Sequence, residues 1–300
     1  MNTEAVERFF GWIATRHRIY QARAAGSPAP WTNDPIFNEY KFTNPFREND
    51  RVTVWMRKNW TSVNDHRPPE EIFFNCCLFR MVGTSEFAQE HGWVTEWEPL
   101  RTKWLIQDRL EKKQRTFTGA YIITNQGIKA PKSLIVVDMF LSPVWEARKE
   151  LAAAAKETNS LEETHKALSK YRGWGGGGFM AYEVVTDLNY TSVLPDPVDK
   201  NRWANAGPGA KRGLNRIYDR ELKKNLRPSI ANHEMRTLLA QADEYFLDIE
   251  NFPVSELDMR TIEHSLCEWD KYERIRLGQG RPRSRFSADL GRTSVEGAVK

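Results

Sequence analysis

Residues 173–183 read GWGGGGFMAYE, a glycine-rich run that passes directly into an apolar segment. Glycine adopts a positive φ without steric cost, so a turn at Gly175, Gly176, Gly177 and Gly178 can approach a partner closely. Apolar residues then recur at helical spacing up to residue 188, which predicts a buried helix after the turn. The start of such a helix offers unpaired N–H groups and a positive dipole end to a phosphate. A flexible surface loop is the alternative explanation for the glycines.

Composition predicts a globular chain with locally concentrated positive charge. The 300 residues are 40% hydrophobic and 28% charged, with a net charge of only +4. Residues 200–227, however, carry nine Lys or Arg against two acidic residues, and a second basic run closes the chain at 271–285. Such clusters attract phosphate backbones, although solvated helix faces would look the same. The eleven Trp and fifteen Phe suit either a core or the stacking of unstacked bases.

Cysteine usage and hydropathy restrict the compartment. The three cysteines form no C-x-x-C pair, which indicates a reducing environment without structural zinc. No apolar run reaches membrane-spanning length, and the first residues show no signal-peptide pattern. We therefore expect a cytoplasmic protein with no metal and no cofactor.

Apolar periodicity predicts an all-α fold. The segments expected to be helical are 4–24, one opened by Pro68-Pro69, 84–91, 97–113, 132–155, one capped by Ser160, 179–188, 230–246 and 256–271. A second glycine turn at 207–214 is expected to enter a basic helix that reaches about residue 224. Residues 118–125 are expected to be extended or a short helical piece. Residues 1–277 should form one helical body, in one piece or two lobes, followed by a loose basic tail at 278–300.

Residues 168–216 resemble the helix–hairpin–helix motif of base-excision DNA glycosylases. In that superfamily the hairpin amides grip a DNA phosphate, and an aspartate downstream serves a base flipped out of the duplex. The match implies that Gly175–Gly178 bind the phosphate and that Asp199 is the best positional match for the catalytic carboxylate, with Asp196 and Asp187 as alternatives. Four glycines stand here where the superfamily usually has a G-V-G hairpin.

A closer resemblance rests on four blocks that occur in order: Phe42–Arg51, Gly177–Glu183, Gly207–Leu214 and Ser265–Tyr272. Together they look like a phage thymine-hypermodification family. Its names include α-glutamyl/putrescinyl thymine pyrophosphorylase, amino acid:DNA transferase, and the helical domain attached to 5-hydroxymethyluracil DNA kinases. The resemblance implies a glycosylase-like helical fold that acts on double-stranded DNA, in the host cytoplasm if the chain is phage-encoded.

The reaction implied is displacement of a phosphorylated or pyrophosphorylated 5-hydroxymethyl group on uracil by the amine of an amino acid or polyamine. No G-x-x-x-x-G-K-[ST] occurs in the chain, so a separate 5-hydroxymethyluracil DNA kinase would activate the base. The base would leave the stack to expose its 5-substituent. The sequence leaves open the identity of the amine, the leaving group, the DNA sequence context and the oligomeric state.

Each step of that reaction has candidate residues. The leaving phosphate requires cations, for which the candidates are Lys211, Arg212, Arg47 and Arg51. A carboxylate must accept the proton of the amine, and the candidates in order are Asp199, Glu268 and Asp270. The aromatic candidates for stacking on the base are Trp174, Trp203 and Phe179. A carboxylate on the incoming amine would bind Lys271 or Arg274.

Structural explanations compete with these roles. Glu268, Asp270, Lys271 and Arg274 could form an ion-pair network along one helix. Residues 47–51 could be a surface ion pair, a buried structural cluster, or an arginine pair that a carboxylate directs at phosphate. Two other functions remain open: a DNA glycosylase that excises a modified base, and a non-catalytic DNA-binding module that delivers a modifying kinase.

Overall fold

A computed structural model describes residues 1–247, 249–282 and 285–286, and within these residues the fold is all-α. The α-helices are α1 (Thr3–Ala24), α2 (Pro35–Glu39), α3 (Arg51–Met56), α4 (Pro69–Val82), α5 (Ser85–His91), α6 (Pro99–Glu111), α7 (Lys132–Leu134), α8 (Ser142–Thr158), α9 (Leu161–Ser169), α10 (Phe179–Leu188), α11 (Pro208–Ile217), α12 (Pro228–Phe246) and α13 (Met259–Arg276). None of these helices is both long and apolar enough to cross a bilayer. The prediction of an all-α fold is confirmed.

Contacts group the helices into two units. The first contains Met1–Asp50 and the chain from Ala206 onward, and the second contains Arg51–Asn205. The first unit is therefore discontinuous in sequence, with α1 and α2 packed among α11, α12 and α13. Nothing in the composition marked these boundaries, because neither crossing at residues 50 and 205 carries a flexible linker.

The core of the first unit is aromatic. Phe9 and Phe10 on α1 are buried; Phe9 meets Trp269 of α13 edge to face at 5.6 Å, and Phe10 meets Phe246 of α12 at 5.4 Å. Burial of each large apolar side chain stabilises the fold by about 1.5–3 kcal/mol. Asn2 caps α1, and its backbone N–H donates to the carbonyl of Ile217 at 2.7 Å. The start of α1 is therefore fixed to the end of α11.

Two glycines set the distance between α11 and α13. A Cβ at Gly213 would lie 2.7 Å from the Leu266 carbonyl oxygen, and one at Gly209 would overlap Cys267 Sγ. The predicted second glycine turn is therefore wrong for these residues, because they lie inside α11 at a four-residue spacing that faces α13. The helix also ends at Ile217 and not near residue 224.

The second unit is built around α4, whose residues from Ile72 to Val82 are all buried. Arg80 forms a two-pronged ion pair with Asp187 of α10, with 2.6 Å between Nη2 and Oδ1, and Glu183 lies 3.8 Å away. Burial alone would lower the pKa of Arg80, but the two carboxylates raise it above its usual value. This buried network fixes α4 to α10.

The helix predicted over 132–155 is interrupted. α7 passes into a wider π-helical turn at Ile135–Leu141, and α8 starts with Pro143 in its first turn. Proline has no N–H to donate into a continuous α-helix, which accounts for the local change in hydrogen bonding. Residues 119–121 are bends and residues 118 and 122–125 have no regular secondary structure, so the alternative of a short helical piece is wrong for this stretch.

Part of the predicted loose tail is ordered against the first unit. The Phe286 N–H donates to the Glu39 carbonyl at 3.0 Å, and the Arg285 guanidinium pairs with the Glu39 carboxylate. Arg285 also lies 4.8 Å from the centre of the Tyr40 ring. The charge and ring pairing explain why these two residues depart from the expectation. Arg283, Ser284 and residues 287–300 lie outside the described residues.

Candidate functional site

Glu268 on α13 lies at the centre of a polar cluster formed with the segment 42–51. Its carboxylate accepts the Thr43 backbone N–H at 2.9 Å and two bonds from Lys271 Nζ at 2.7 and 2.9 Å. The Thr43 hydroxyl contacts His264 Nε2 at 2.6 Å. Burial by itself would raise the pKa of Glu268, but Lys271, His264 and the Thr43 amide outweigh it, and the pKa is lowered. Glu268 is thus an ionised, fully engaged group.

Beside this cluster, α1 contributes a buried arginine that the sequence did not single out. Arg16 Nε donates to the Phe42 carbonyl at 3.2 Å, and burial lowers the pKa of Arg16 to about 10 despite the nearby Asp50 and Glu268 carboxylates. Arg16 Nη1 and the side-chain oxygen of Asn44 are both buried and have no hydrogen-bond partner among the described residues. A donor and an acceptor therefore lie unsatisfied in one cluster, at a cost of about 1–3 kcal/mol each.

The pKa of Asp50 is shifted in the opposite direction from that of Glu268. It accepts the Asn44 backbone N–H at 3.2 Å. Burial raises the pKa of Asp50, although Arg47 and the Asn44 amide act in the opposite direction. Arg47 and Arg51 do not lie on one helix, because Asp50 is extended (φ −76°, ψ 133°) between a 3₁₀ turn at Arg47–Asn49 and α3. Arg47 belongs to the first unit and Arg51 begins the second.

Three arginines converge on Asp270. The fully buried Asp270 carboxylate accepts from Arg212 Nε at 2.8 Å and Arg216 Nε at 3.0 Å, and Arg274 Nε lies 3.4 Å away. The side chains of Arg212 and Arg274 are 34% and 36% exposed. One carboxylate against three guanidiniums leaves an excess of two positive charges that face solvent in part. We call these four residues the arginine cluster.

Lys211, beside Arg212 on α11, is half-buried. The predicted network at 268–274 is in fact two separate ones, since Glu268 pairs with Lys271 whereas Asp270 pairs with Arg274.

The glycine turn joins α9 to α10 in the second unit. Gly176 and Gly178 have φ of +70° and +67°. The carbonyl of Gly178 contacts His165 Nε2 at 2.9 Å, and that of Gly177 accepts from Asn205 Nδ2 at 2.9 Å. Gly176 and Gly177 are exposed, and a Cβ on either would meet nothing within 4 Å. His165 and Asn205 thus hold the carbonyl groups of Gly178 and Gly177, while the Cα positions of Gly176 and Gly177 remain exposed to solvent.

Asp199 has a structural partner that its sequence position did not indicate. Its carboxylate accepts the Ser160 hydroxyl at 2.7 Å and the backbone N–H groups of Leu161 and Glu162 at 2.8 and 2.9 Å. It therefore caps the start of α9 together with Ser160, whose hydroxyl also accepts the Glu163 N–H, as the predicted capping residue should. Three donors occupy the carboxylate that we expected to act as a base.

Two of the three aromatic candidates are wrong for base stacking. Trp174 is completely buried, and its Nε1–H donates to the Phe140 carbonyl at 3.0 Å. Trp203 is 9% exposed and packs against Tyr182. Phe179, at the start of α10, is 48% exposed and keeps a surface that a base could contact.

The chain is similar to known proteins over most of its length. Residues 3–281 match the family model described as 5-hmdU DNA kinase, helical domain. The chain belongs to this family. A 5-hmdU DNA kinase of Bacillus phage SP10 is 26% identical over 290 residues, which cover 89% of the chain and 44% of that kinase. The chain thus spans less than half the length of this relative. No solved structure matches the chain.

In this member of the helical-domain family, the sequence singled out Arg212, Asp270, Arg274 and Glu268 individually but neither Arg216, which shares Asp270 with two of them, nor Arg16. The signal available for Arg16 is an ionisable residue on the apolar side of α1, between Ile13 and Ile19. Such a placement is rare for an unpaired arginine. Asp50 lay within the recognised block 42–51, but no sequence pattern indicated the raised pKa that sets it apart from Glu268.

Proposed function

We propose that the chain transfers an amine onto activated 5-hydroxymethyluracil in DNA. In this reaction the amine nitrogen bonds to the 5-methylene carbon, the bond from that carbon to the phosphate or pyrophosphate oxygen breaks, and the amine loses a proton. Membership of the 5-hmdU DNA kinase helical-domain family supports modified DNA as the substrate. The arginine cluster is the observation that carries the proposal, because the leaving group is a polyanion.

The arginine cluster suits that leaving group for a physical reason. Asp270 accepts hydrogen bonds from Arg212 and Arg216 and lies within ion-pair distance of Arg274, so these guanidiniums need little reorganisation when an anion arrives. Arg212 and Arg274 are exposed enough to reach a ligand yet partly shielded from water, which strengthens charge-assisted hydrogen bonds. Lys211 extends the positive surface. Because the Asp270 carboxylate already accepts hydrogen bonds from arginines, we do not assign it as the acceptor of the amine proton.

Asp50 is the better proton acceptor among the carboxylates of the first unit. An amine attacks only when neutral, so the base must take a proton from an ammonium group. The Glu268 carboxylate is held by Lys271 and the Thr43 amide and its pKa is lowered, whereas burial raises the pKa of Asp50, which makes Asp50 the more basic of the two carboxylates. We assign the proton to Asp50 in place of the expected Asp199, which caps α9.

The polar atoms beside Asp50 favour an amino acid over a polyamine. Arg16 Nη1 is a buried donor that would take a carboxylate oxygen, and the Asn44 side-chain oxygen is a buried acceptor that would take an amine N–H. An α-amino acid supplies both groups, while a polyamine supplies only the second. Lys271 remains bound to Glu268 in this assignment.

The glycine turn is the proposed DNA contact of the second unit. Its open tip at Gly176 and Gly177 lets a phosphate approach the backbone, and the start of α10 contributes a positive dipole end. Phe179 follows the turn and offers an exposed ring. These features support a hairpin that grips DNA, as in the glycosylase-like arrangement.

The test is nucleoside mass spectrometry on duplex DNA that carries phosphorylated or pyrophosphorylated 5-hydroxymethyluracil, incubated with the chain and a mixture of amino acids and polyamines. We expect a nucleoside that has gained one amine and lost the phosphate. Arg274→Gln should slow its formation about tenfold to a hundredfold, since a hydrogen bond to a charged group contributes about 1.5–3 kcal/mol. Arg276→Gln is the matched control, because Arg276 lies on the same helix, is 38% exposed and pairs with Glu273 instead.

Other products would refute the proposal. An abasic site would identify a glycosylase. Intact substrate with every amine, together with tight DNA binding, would identify a delivery module. Asp50→Asn should abolish transfer while leaving DNA affinity unchanged, and full activity in that variant would exclude Asp50 as the base.

A further inference from the structure

A groove of about 360 Å³ in the second unit is lined by aromatic rings and side-chain amides. The groove residues are Trp55, Asn59, Trp60, Asn64, Ala88, Gln89, Gly92 and Trp93. Its volume lies within the range of about 300–1,000 Å³ that small-ligand sites occupy. None of these residues belongs to the proposed transfer site or to the glycine turn.

The rings of the groove form a supported stacking surface. Trp60 is 3% exposed, donates its Nε1–H to the Asn75 carbonyl at 3.2 Å, and lies 5.3 Å from the half-buried Trp93. Trp55, also half-buried, stacks on Phe79 at 5.9 Å. Each partly exposed ring is thus fixed from behind by a buried aromatic neighbour. Fixed rings lose little entropy when a flat ligand stacks on them.

Two amides that line the groove are held by the backbone of their own segment. Asn59 Nδ2 donates to the Trp55 carbonyl at 3.0 Å and Asn64 Nδ2 to the Trp60 carbonyl at 2.8 Å. Each bond uses one N–H of an NH₂ group, so each side chain keeps its oxygen as an acceptor and one N–H as a donor for a ligand. The intervening segment Arg57–Thr61 is a π-helical turn, a distortion that is frequent at functional sites.

We propose that this groove binds an unstacked DNA base. A nucleobase combines a flat ring face with N–H donors at its edge, which are the two features that the rings and the amide oxygens match. Half-buried rings accept a base that has already left the stack, and they do not reach into a closed duplex. The inference takes its DNA ligand from the proposed function but does not depend on amine transfer.

The experiment compares two duplexes that differ at one position, one fully paired and one with a single thymine mismatch. Fluorescence anisotropy with the full chain should show tighter binding of the mismatched duplex. Trp93→Ala should remove that preference and weaken mismatch binding about 5- to 150-fold, the range for loss of one stacked base. The slope of affinity against salt should stay unchanged, because stacking releases no counterions.

Trp104→Ala is the matched control, since Trp104 is 64% exposed on α6 of the same unit and does not line the groove. Asn59→Ala provides a second test at an exposed position, where the fold tolerates substitution. The inference is overturned if both groove variants keep the preference, or if Trp104→Ala loses it equally. If the unmodified chain transfers an amine but does not prefer the mismatched duplex, the base-binding role of the groove is refuted and the proposed reaction stands. If it prefers the mismatched duplex but transfers no amine, the proposed reaction is refuted and the base-binding role stands.

Discussion

Close packing of α11 on α13 predicts that Gly213→Ala destabilises the first unit although alanine favours helices. A Cβ at residue 213 would lie 2.7 Å from the Leu266 carbonyl oxygen and 3.1 Å from Leu266 Cβ. A backbone oxygen in a helix cannot rotate away, so the helices must separate. Overpacking of this kind costs about 1–3 kcal/mol, against a helix-propensity gain of about 1 kcal/mol.

Gly11→Ala supplies the reference, because Gly11 lies inside α1 of the same unit and its Cβ would meet nothing within 4 Å. We expect Gly11→Ala to stabilise the chain by about 0.5–1 kcal/mol. The difference between the two variants cancels propensity and should be about 1–3 kcal/mol. Urea unfolding followed by circular dichroism measures it. Equal stabilisation by both substitutions would show that Gly213 does not set the helix spacing.

Three further predictions concern the revised roles of candidate residues. Asp199→Ala should lower the free energy of unfolding by about 1–2 kcal/mol in thermal melts, through loss of the α9 cap; unchanged stability would restore Asp199 as a candidate base. Trp174→Ala should cost about 3–5 kcal/mol, as for other buried aromatics, whereas Phe179→Ala should alter DNA affinity and leave the melting temperature nearly unchanged. The lowered pKa of Glu268 means that the folded state releases its proton more easily, so its stabilisation is present at neutral pH and is lost as the pH falls through that pKa. Lys271→Met should reduce the part of acid unfolding due to Glu268, and an identical acid profile would contradict this assignment.

The helices were predictable because apolar periodicity records burial directly. Most expected segments match observed helices to within a few residues, including 179–188. The failures have local causes. Pro143 interrupts the expected continuous helix by removing an N–H, and the basic helix ends at Ile217 although its charged residues continue. A run of charged residues indicates that a segment is exposed to solvent, but it does not indicate the residue at which helical hydrogen bonding ends.

Site residues were harder to predict, because their roles depend on partners distant in sequence. Asp199 matched a catalytic position by spacing, yet its donors come from residues 160–162. Trp174 matched a stacking position, yet its ring fills the core of its own unit. Glycine patterns were equally ambiguous, since 175–178 form a turn whereas Gly209 and Gly213 lie within a helix. Spacing along the sequence identifies candidate residues, but the role of each depends on which residues it contacts in the folded structure.

The two carboxylates of α13 that were predicted to form one ion-pair network have different partners. Glu268 and Asp270 are two residues apart, so on a helix they face different directions. Glu268 meets Thr43 and Lys271, and Asp270 meets Arg212 and Arg216 of α11. Glu268 is paired with Lys271 of its own helix, whereas among the described residues Asp270 faces three guanidiniums. This excess of positive charge is the basis for proposing the arginine cluster as the site of the leaving phosphate, while the proposed base and amine contacts lie at Asp50, Arg16 and Asn44.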